Sequence, residues 1–396
     1  MNISWRLFYF CTMNFILFDD NEYRIDLLPL TFTRPVADIR IGIFRIFEKW
    51  ERRLGTKVSF KTDIYLSKKF PKIENNDSIY INGSVCPTSE LLSAISKLEN
   101  GTALVQNDTL IAYRNEAKTK KSFAGELTVL RKTWDIFTNN GKELRKDFEL
   151  VKKSGKSVGI SDPHTKIYSP ENIFVEEGAK VYAATLNAEF GPIYLGKNSE
   201  VQEGAMIRGA FALCESSVVN MGGKMRGDNT IGPFSKVGGE VSNSVFFAYS
   251  NKAHDGFMGN SVIGEWCNFG ADSNTSNLKN NYANINVYSY KEKKYINSER
   301  QFCGLIMGDH SKCGINIMFD SGSVVGVNSS VYGTKYSPKF IRSFSWGDIE
   351  NLETFRLDKA LEVAEKVMAR RNIPLSEIDR EILTKVYEME VLNGQK

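Results

Sequence analysis

The 396-residue chain is 42% hydrophobic and 25% charged, the composition of a soluble globular protein, which excludes a disordered chain and a multi-span membrane protein. Its 51 basic and 47 acidic residues leave a formal charge of +4, too small and too scattered to point to nucleic-acid binding. The length accommodates more than one domain, and six cysteines without a CxxC pair exclude a zinc site or disulfide framework and read as buried free thiols.

At the N-terminus the apolar run Trp5 to Phe10 contains an arginine and is followed by no small-residue cleavage site, so it does not read as a signal peptide. Met13 begins a normal first strand, so residues 1–12 are expected to be an extension and the protein is expected to be cytoplasmic. Strands are expected at Phe15–Phe18, Ile79–Asn82, Ala103–Val105 and Leu110–Tyr113, and helices at Ile43–Leu54 and Ser89–Leu98, the latter capped by Thr88 or Ser89. This alternation predicts a doubly wound α/β domain over residues 13–150, with its ligand at the carboxyl ends of the strands. A connecting region over 120–166 contains a helix at Lys142–Lys152.

The second half repeats with a period of six. Leu195, Val201, Ile207, Leu213, Val219, Met225, Ile231 and Val237 keep one register, and Met307, Cys313, Phe319, Val325 and Val331 keep another. At 42% apolar residues, eight in register arise by chance at roughly one in a thousand per starting point. Glycine often follows the apolar position, and a small residue often stands four after it, as at Ser199, Ser217, Ser235, Ser323 and Ser329. Each hexad is one flat side of a triangular coil with its apolar residue inward. A left-handed parallel β-helix of hexapeptide repeats is therefore expected over 167–335, its first coil near Ile173–Val181 and its last ending near Tyr332. The register is lost between Thr275 and Phe302, which predicts an extruded loop. In the segment 347–395, Leu357, Leu361, Ala364 and Met368, then Ile378, Ile382, Val386 and Met389, have helical spacing, and these C-terminal helices are expected to cover the solenoid's open end.

Of three histidines, His254 alone lies in a motif-like string within the repeat region, Asn251-Lys-Ala-His-Asp-Gly-Phe-Met-Gly259. Acyl transfer from a coenzyme-A thioester needs a base of near-neutral pKa, and histidine supplies one, with Asp255 placed to orient it. Three widely separated histidines do not furnish the ligands of a metal hydratase.

The strings Leu28-Pro-Leu-Thr-Phe-Thr-Arg-Pro-Val-Ala-Asp-Ile-Arg40, Trp134-Asp-Ile-Phe137, Asn251-Lys-Ala-His-Asp-Gly256 and Gly264-Glu-Trp-Cys-Asn-Phe-Gly-Ala-Asp272 carry a resemblance. From Met13 onward the chain resembles a divergent bacterial version of the bifunctional N-acetylglucosamine-1-phosphate uridyltransferase/glucosamine-1-phosphate acetyltransferase family. The resemblance implies an N-terminal nucleotidyltransferase-like, Rossmann-like domain, an acyltransferase β-helix and a homotrimer. It implies His254 as the acetyl-transfer base and acetyl-CoA as co-substrate beside Gly270 and Ala271. Sugar phosphate would be held by Asn274, Asn277, Asn281 and Tyr282, with Lys236 and Lys252 in place of the family's cationic grip, since Gly238-Gly239 stands in one such region.

The N-terminal half departs from the family pattern. Phe18-Asp-Asp-Asn-Glu-Tyr-Arg24 replaces the glycine-rich phosphate loop, leaving Arg34 and Arg40 as candidate phosphate ligands unless Arg34 merely pairs with Asp38. Asp19, Asp38, Asn82 and Gly83 complete the candidate nucleotide site. Ser84 stands where the family has the aspartate that binds Mg²⁺, so Asp19 or Asp20 is the candidate metal ligand. Three readings follow: UTP-dependent nucleotidyl transfer and acetylation together, a single nucleotidyl transfer to a sugar 1-phosphate with the β-helix as an oligomerisation spine, or a non-catalytic sugar-nucleotide sensor.

Overall fold

The computed structural model describes residues 13–392, so the expectations for residues 1–12, Cys11 among them, and for 393–395 lie outside the described residues. The chain divides into two units, one formed mainly by residues up to Lys132 and one by Thr133 onward together with Leu28–Phe32 and Arg40–Ile43.

The first unit is built on β1 (Asn14–Phe18), β2 (Ser59–Lys61), β3 (Ser78–Asn82), β4 (Thr102–Gln106), β5 (Thr109–Arg114) and β6 (Thr119–Ser122), in the sheet order β2-β1-β3-β5-β4-β6. β1 runs parallel to β2 and β3, as a βαβ pattern requires. Beyond β3 the sheet departs from the doubly wound expectation, because β4 and β5 form an antiparallel hairpin whose turn passes through Asn107 at φ 50°. The predicted helices are present as α2 (Ile46–Leu54) and α3 (Ser89–Ile95), preceded by a short α1 (Asn21–Asp26). Each end is fixed by local chemistry. The Thr88 hydroxyl accepts from the Leu91 amide, and Gly55 closes α2 in the left-handed region. The fully buried Trp50 ties α2 to the strand segment Val85–Cys86 by donating its indole N–H to the Val85 carbonyl at 2.9 Å.

The second unit is the expected β-helix, three sheets whose successive coils pair in parallel. Leu195, Leu213 and Ile231 stack in register 18 residues apart, one residue per coil, and the eight apolar residues of the first hexad run are all buried in one continuous core. Burying each such aliphatic side chain contributes about 1.5–3 kcal/mol. The hexads fade after Val237 because the coils change length: Phe246 follows Ile231 by 15 residues, and Ile263 follows Phe246 by 17. Ile263 next pairs with Met307, and the predicted extrusion between them carries an antiparallel hairpin of Asn286–Ser289 with Lys294–Asn297. The solenoid also begins earlier and ends later than expected, from Lys166–Tyr168 to Ser345–Asp348.

One corner is a ladder of residues with left-handed φ, each three after an inward apolar residue: Asn198, Ser216, Phe234, Tyr249, Trp266, His310, Asn328 and Phe344. Phe234, Tyr249 and Trp266 stack at centroid spacings of 5.1 and 4.1 Å, with His310 6.2 Å beyond. Backbone bonds between neighbouring corners, such as Phe234 N–H to the Glu215 carbonyl, help hold these residues in a conformation that side chains otherwise disfavour.

Helix α4 (Thr133–Ser154) is longer than the predicted Lys142–Lys152. Within it Asn140 is fully buried, accepts from the Gly42 amide and the Thr230 hydroxyl, and donates to the Asp228 carbonyl. At Gly141 a Cβ would lie 1.9 Å from Asp228 Oδ2, so glycine there serves close approach to the β-helix.

The C-terminal helices α5 (Leu357–Ala369) and α6 (Glu377–Tyr387) do not cap the solenoid. Ala360, Ala364, Met368, Leu383 and Val386 pack with Trp266, Val327 and Phe344, along the corner ladder. The final edge is met instead by Asn351–Thr354, which pairs antiparallel with Ser345–Asp348.

Candidate active site

His254 lies in the turn between strands Asn251–Lys252 and Phe257–Gly259. The turn is held from beneath. The buried Lys252 side chain donates from Nζ to the carbonyls of His254 (2.6 Å) and Asp255 (2.9 Å), while Asn220 Nδ2 donates to the Ala253 carbonyl. Two neighbouring coils approach it through glycine: a Cβ at Gly238 would meet the Ala253 carbonyl at 2.3 Å, and one at Gly256 (φ 108°) would meet the Ser273 carbonyl at 2.3 Å. Asn274 closes the far side, its Oδ1 accepting from the Phe257 amide at 2.7 Å.

On this fixed backbone the His254 and Asp255 side chains are exposed and form no hydrogen bond with each other or with other described residues. The expected orientation of His254 by Asp255 is therefore not made here. Lys252, expected on substrate, instead braces the turn, and burial pushes its ammonium down to about 8 against the opposing pull of Asp255, Cys313 and Asp272. Lys236 is exposed on the row beside Asn251. Asn277 donates to Asn260 Oδ1, Asn281 accepts from the Ala283 amide, and Tyr282 is 67% exposed in the extruded segment. Gly270 packs against the Gly314 backbone, and the Ala271 carbonyl accepts from the Asn316 amide. The structure thus brings Lys252, His254 and Asp255 together at one turn, with Asn274 of the next coil bonded to its end.

The N-terminal candidates are brought together differently. Asp19 accepts from the Val36 amide at 2.8 Å and the Thr62 hydroxyl at 2.6 Å, with the Arg24 guanidinium 3.9 Å away. Burial raises its carboxyl above the usual range despite these partners. Asp20 caps α1, accepting from the Glu22 and Tyr23 amides. Asp38 lies 3.4 Å from Arg34 and 2.8 Å from Arg45, which is the pairing that competes with phosphate for Arg34. Asn82 donates to the Leu110 carbonyl and accepts from both the amide and hydroxyl of Ser84, and the Gly83 amide donates to the Phe18 carbonyl. Arg40 belongs to the other unit, where it donates to the Phe247 and Ile43 carbonyls.

These commitments bear on Mg²⁺. Asp19 gives one carboxylate oxygen to the Val36 amide and the other to the Thr62 hydroxyl, and Asp20 gives Oδ1 to the α1 cap. Among the described residues no group of three or more His, Cys, Asp or Glu is placed to hold a metal ion. The five described cysteines, Cys86, Cys214, Cys267, Cys303 and Cys313, are buried free thiols.

Residues 15–156 match the family described as Sugar nucleotidyl transferase. That sugar nucleotidyl transferase match covers the first unit and α4. Among curated proteins, the chain is 38% identical over 89 residues to the "Bifunctional protein GlmU" of Methanocaldococcus jannaschii, 22% of this chain and 21% of the relative. It is 27% identical over 144 residues to the "Bifunctional sugar-1-phosphate nucleotidylyltransferase/acetyltransferase" of Sulfurisphaera tokodaii, 36% of this chain and 35% of the relative. These relatives are archaeal, where a bacterial version was expected, and the chain spans about a fifth to a third of their length. Among solved structures, the UDP-N-acetylglucosamine acyltransferase from Campylobacter jejuni aligns over 58% of this chain and 96% of its own, at 12% identity and a TM-score of 0.29.

To the predicted Lys236 the structure adds Asn251, Asn268 and Lys312, which sequence reasoning missed. Lys236, Asn251, Asn268 and Lys312 occupy one register position on four successive coils. They line a cavity of about 420 Å³ together with Arg370 and Arg371 at the end of α5. The signal was present in the repeats, since Ser311-Lys-Cys-Gly314 stands in the same hexad phase as Ser235-Lys-Val-Gly238.

Proposed function

We propose that the chain is a two-activity transferase that makes a nucleotide-activated amino sugar, with nucleotidyl transfer from UTP to a sugar 1-phosphate in the first unit and acetylation of glucosamine 1-phosphate by acetyl-CoA on the β-helix. The observation that carries the acetyltransferase half is the His254 turn, an exposed imidazole on a backbone braced by Lys252, Asn220 and Asn274. The sugar nucleotidyl transferase match over 15–156 supports the other half. His254 takes a proton from the sugar ammonium or amine as nitrogen attacks the thioester carbonyl; the C–N bond forms, the C–S bond breaks, and the CoA thiolate leaves and is protonated. Positioning the acceptor falls to Lys236 and the asparagines of the extruded segment, in a homotrimer.

A second reading is favoured by a specific observation. Ser84 is buried and its hydroxyl is given to Asn82, while Asp19 is enclosed by Val36, Thr62 and Arg24, so neither position offers an open carboxylate for metal-assisted transfer. On that reading the first unit binds a sugar nucleotide without making one. Among the described residues no helix is long and apolar enough to cross a membrane, which is compatible with the cytoplasmic setting proposed for either reading.

Incubating the protein with acetyl-CoA, glucosamine 1-phosphate, UTP and MgCl₂, and resolving products by mass spectrometry, separates these readings. UDP-N-acetylglucosamine supports the two-activity enzyme. N-acetylglucosamine 1-phosphate without pyrophosphate supports acetylation alone, and no product from either step contradicts the proposal. Light scattering tests the trimer by mass.

A further inference from the structure

A cavity of about 770 Å³ opens on the sheet of the first unit, over Tyr80 of β3 and Tyr113 of β5. Two loop regions wall it. Lys72, Glu74 and Asn76 come from the segment before β3, and Asn115 to Lys118 from the segment after β5, beside Asn100 and Gly101. Because β5 runs antiparallel to β3, both walls stand at the end of the sheet where β1 and β3 begin. The Asp19 and Asn82 cluster lies at the other end, where the Gly83 amide meets the Phe18 carbonyl, and none of Asp19, Asp38, Asn82 or Gly83 lines the cavity.

The walls are fixed before any ligand arrives. Asn14 Nδ2 and the Ser59 hydroxyl both donate to the Ile73 carbonyl, at 2.6 and 3.1 Å, and tie the first loop to β1 and β2. Opposite, the Gly101 amide donates to the Arg114 carbonyl, the Lys118 amide to the Gly101 carbonyl, and Asn115 Nδ2 to Asn100 Oδ1 at 2.8 Å. These bonds leave polar groups over. Among the described residues the Asn76 side chain makes no hydrogen bond, the Asn100 amide nitrogen keeps its donors, and Lys61 has no carboxylate partner. The Lys61 ammonium reaches back from the end of β2 to lie 3.5 Å from the Tyr113 hydroxyl and 5.5 Å from the centre of the Tyr80 ring.

The lining limits the ligand. Ala117 is the only aliphatic side chain among the described lining residues, which excludes a lipid or other apolar molecule. The aromatic faces are already engaged: Tyr80 and Tyr113 stack on each other at 4.6 Å, Phe18 lies 5.6 Å from Tyr113, and Lys61 covers Tyr80. The floor therefore presents phenol groups and ring edges, with no free platform for a nucleobase. Glu74 and Glu116 oppose a ligand of several negative charges. Carboxamides both donate and accept, as the hydroxyls of a sugar require, and Lys61 supplies a charge for one acidic group.

We propose that this cavity binds a monosaccharide bearing one acidic group, with Lys61 on the anion and Asn76 and Asn100 on the hydroxyls. The site is separate from the nucleotidyl and acetyl-transfer assignments, since neither the Asp19 cluster nor His254 contributes to it. A sugar phosphate and a sugar carboxylate offer the same chemistry.

Calorimetric titration of the full chain with glucose 6-phosphate, glucuronate, glucose and inorganic phosphate tests this, alongside Lys61→Met, Asn76→Ala and the double variant. Both replaced side chains are exposed, Lys61→Met keeps an unbranched apolar stem over Tyr80, and matched thermal unfolding confirms the fold. An acidic sugar should bind at least about tenfold more tightly than glucose or inorganic phosphate, and each single variant should weaken it about fivefold or more. Tighter binding of glucose 6-phosphate identifies a phosphate site, and tighter binding of glucuronate a carboxylate site. Affinity unchanged in the folded double variant would place the sugar elsewhere on the chain and overturn the proposal. Glucose or inorganic phosphate binding as tightly as the acidic sugars, or no binding of either acidic sugar at millimolar concentration, overturns it equally.

Discussion

The Asp19–Asn82 cluster of the first unit and the His254 turn of the β-helix gather polar residues in opposite ways. In the cluster, Asp19, Asp38, Asn82 and Ser84 are buried or nearly so, and each is answered by a neighbouring amide, hydroxyl or guanidinium. In the turn, the buried groups are the braces, and the two side chains with chemistry, His254 and Asp255, are exposed and form no side-chain hydrogen bond among the described residues. Buried polar groups must be satisfied where they lie, so a closed network stabilises a loop, whereas an exposed group on a fixed backbone remains available to a substrate. The difference is that Asp19, Asp38, Asn82 and Ser84 are held in a closed network in the first unit, whereas in the second Lys252 and Asn274 brace the turn and His254 and Asp255 retain reach.

The largest expected effect breaks the turn itself. Gly256→Val places a Cβ at φ 108°, 2.3 Å from the Ser273 carbonyl, and should cost at least about 3 kcal/mol in chemical unfolding while abolishing acetyl transfer. Next, Asn82→Ala removes the partner of the Leu110 carbonyl and of the Ser84 amide and hydroxyl, and should destabilise the first unit by about 2 kcal/mol. If nucleotide binding, followed by calorimetry, survives in the residual folded protein, Asn82 is confirmed as architecture. Asp20→Ala should cost about 1 kcal/mol, the value of a helix cap, and leave any pyrophosphate release intact; loss of that release at full stability would instead make Asp20 a metal ligand.

A separate, pH-dependent effect concerns the two desolvated lysines. Lys252 and Lys312 lose their protons near pH 8 in the folded chain, against an ordinary value of 10.5. Between those values the unfolded chain binds more protons, so stability should rise with pH across that window, and Lys252→Met with Lys312→Met should flatten the rise in urea unfolding measured at several pH values.

The solenoid was legible because its inward positions recur every six residues and must be apolar, from Leu195 through Val237. The register could not be followed past Val237, since coils of 15 and 17 residues shift the phase without changing the fold. The aromatic corner was not legible either: left-handed φ usually calls for glycine or asparagine, and Phe234, Tyr249 and Trp266 are held there by stacking and backbone bonds that only the assembled coils supply. That ladder also redirects α5 and α6, whose apolar spacing was plain but whose partner was not. In the first unit the strands and caps were readable from Phe15–Phe18, Ile79–Asn82 and Thr88. The hairpin between β4 and β5 was hidden because two apolar runs close together look alike whether they pair parallel or antiparallel. At the candidate site, His254 was found by its rarity, whereas the bracing role of Lys252 depends on which way a lysine turns inside a coil.

The most direct test is CoA release from acetyl-CoA with and without glucosamine 1-phosphate, measured with a thiol reagent for the wild type and His254→Ala. The account predicts acceptor-dependent release that falls about 10²- to 10⁴-fold in the variant, with the unfolding curve unchanged. Release that persists in His254→Ala, or a folded wild type that releases none, would contradict it.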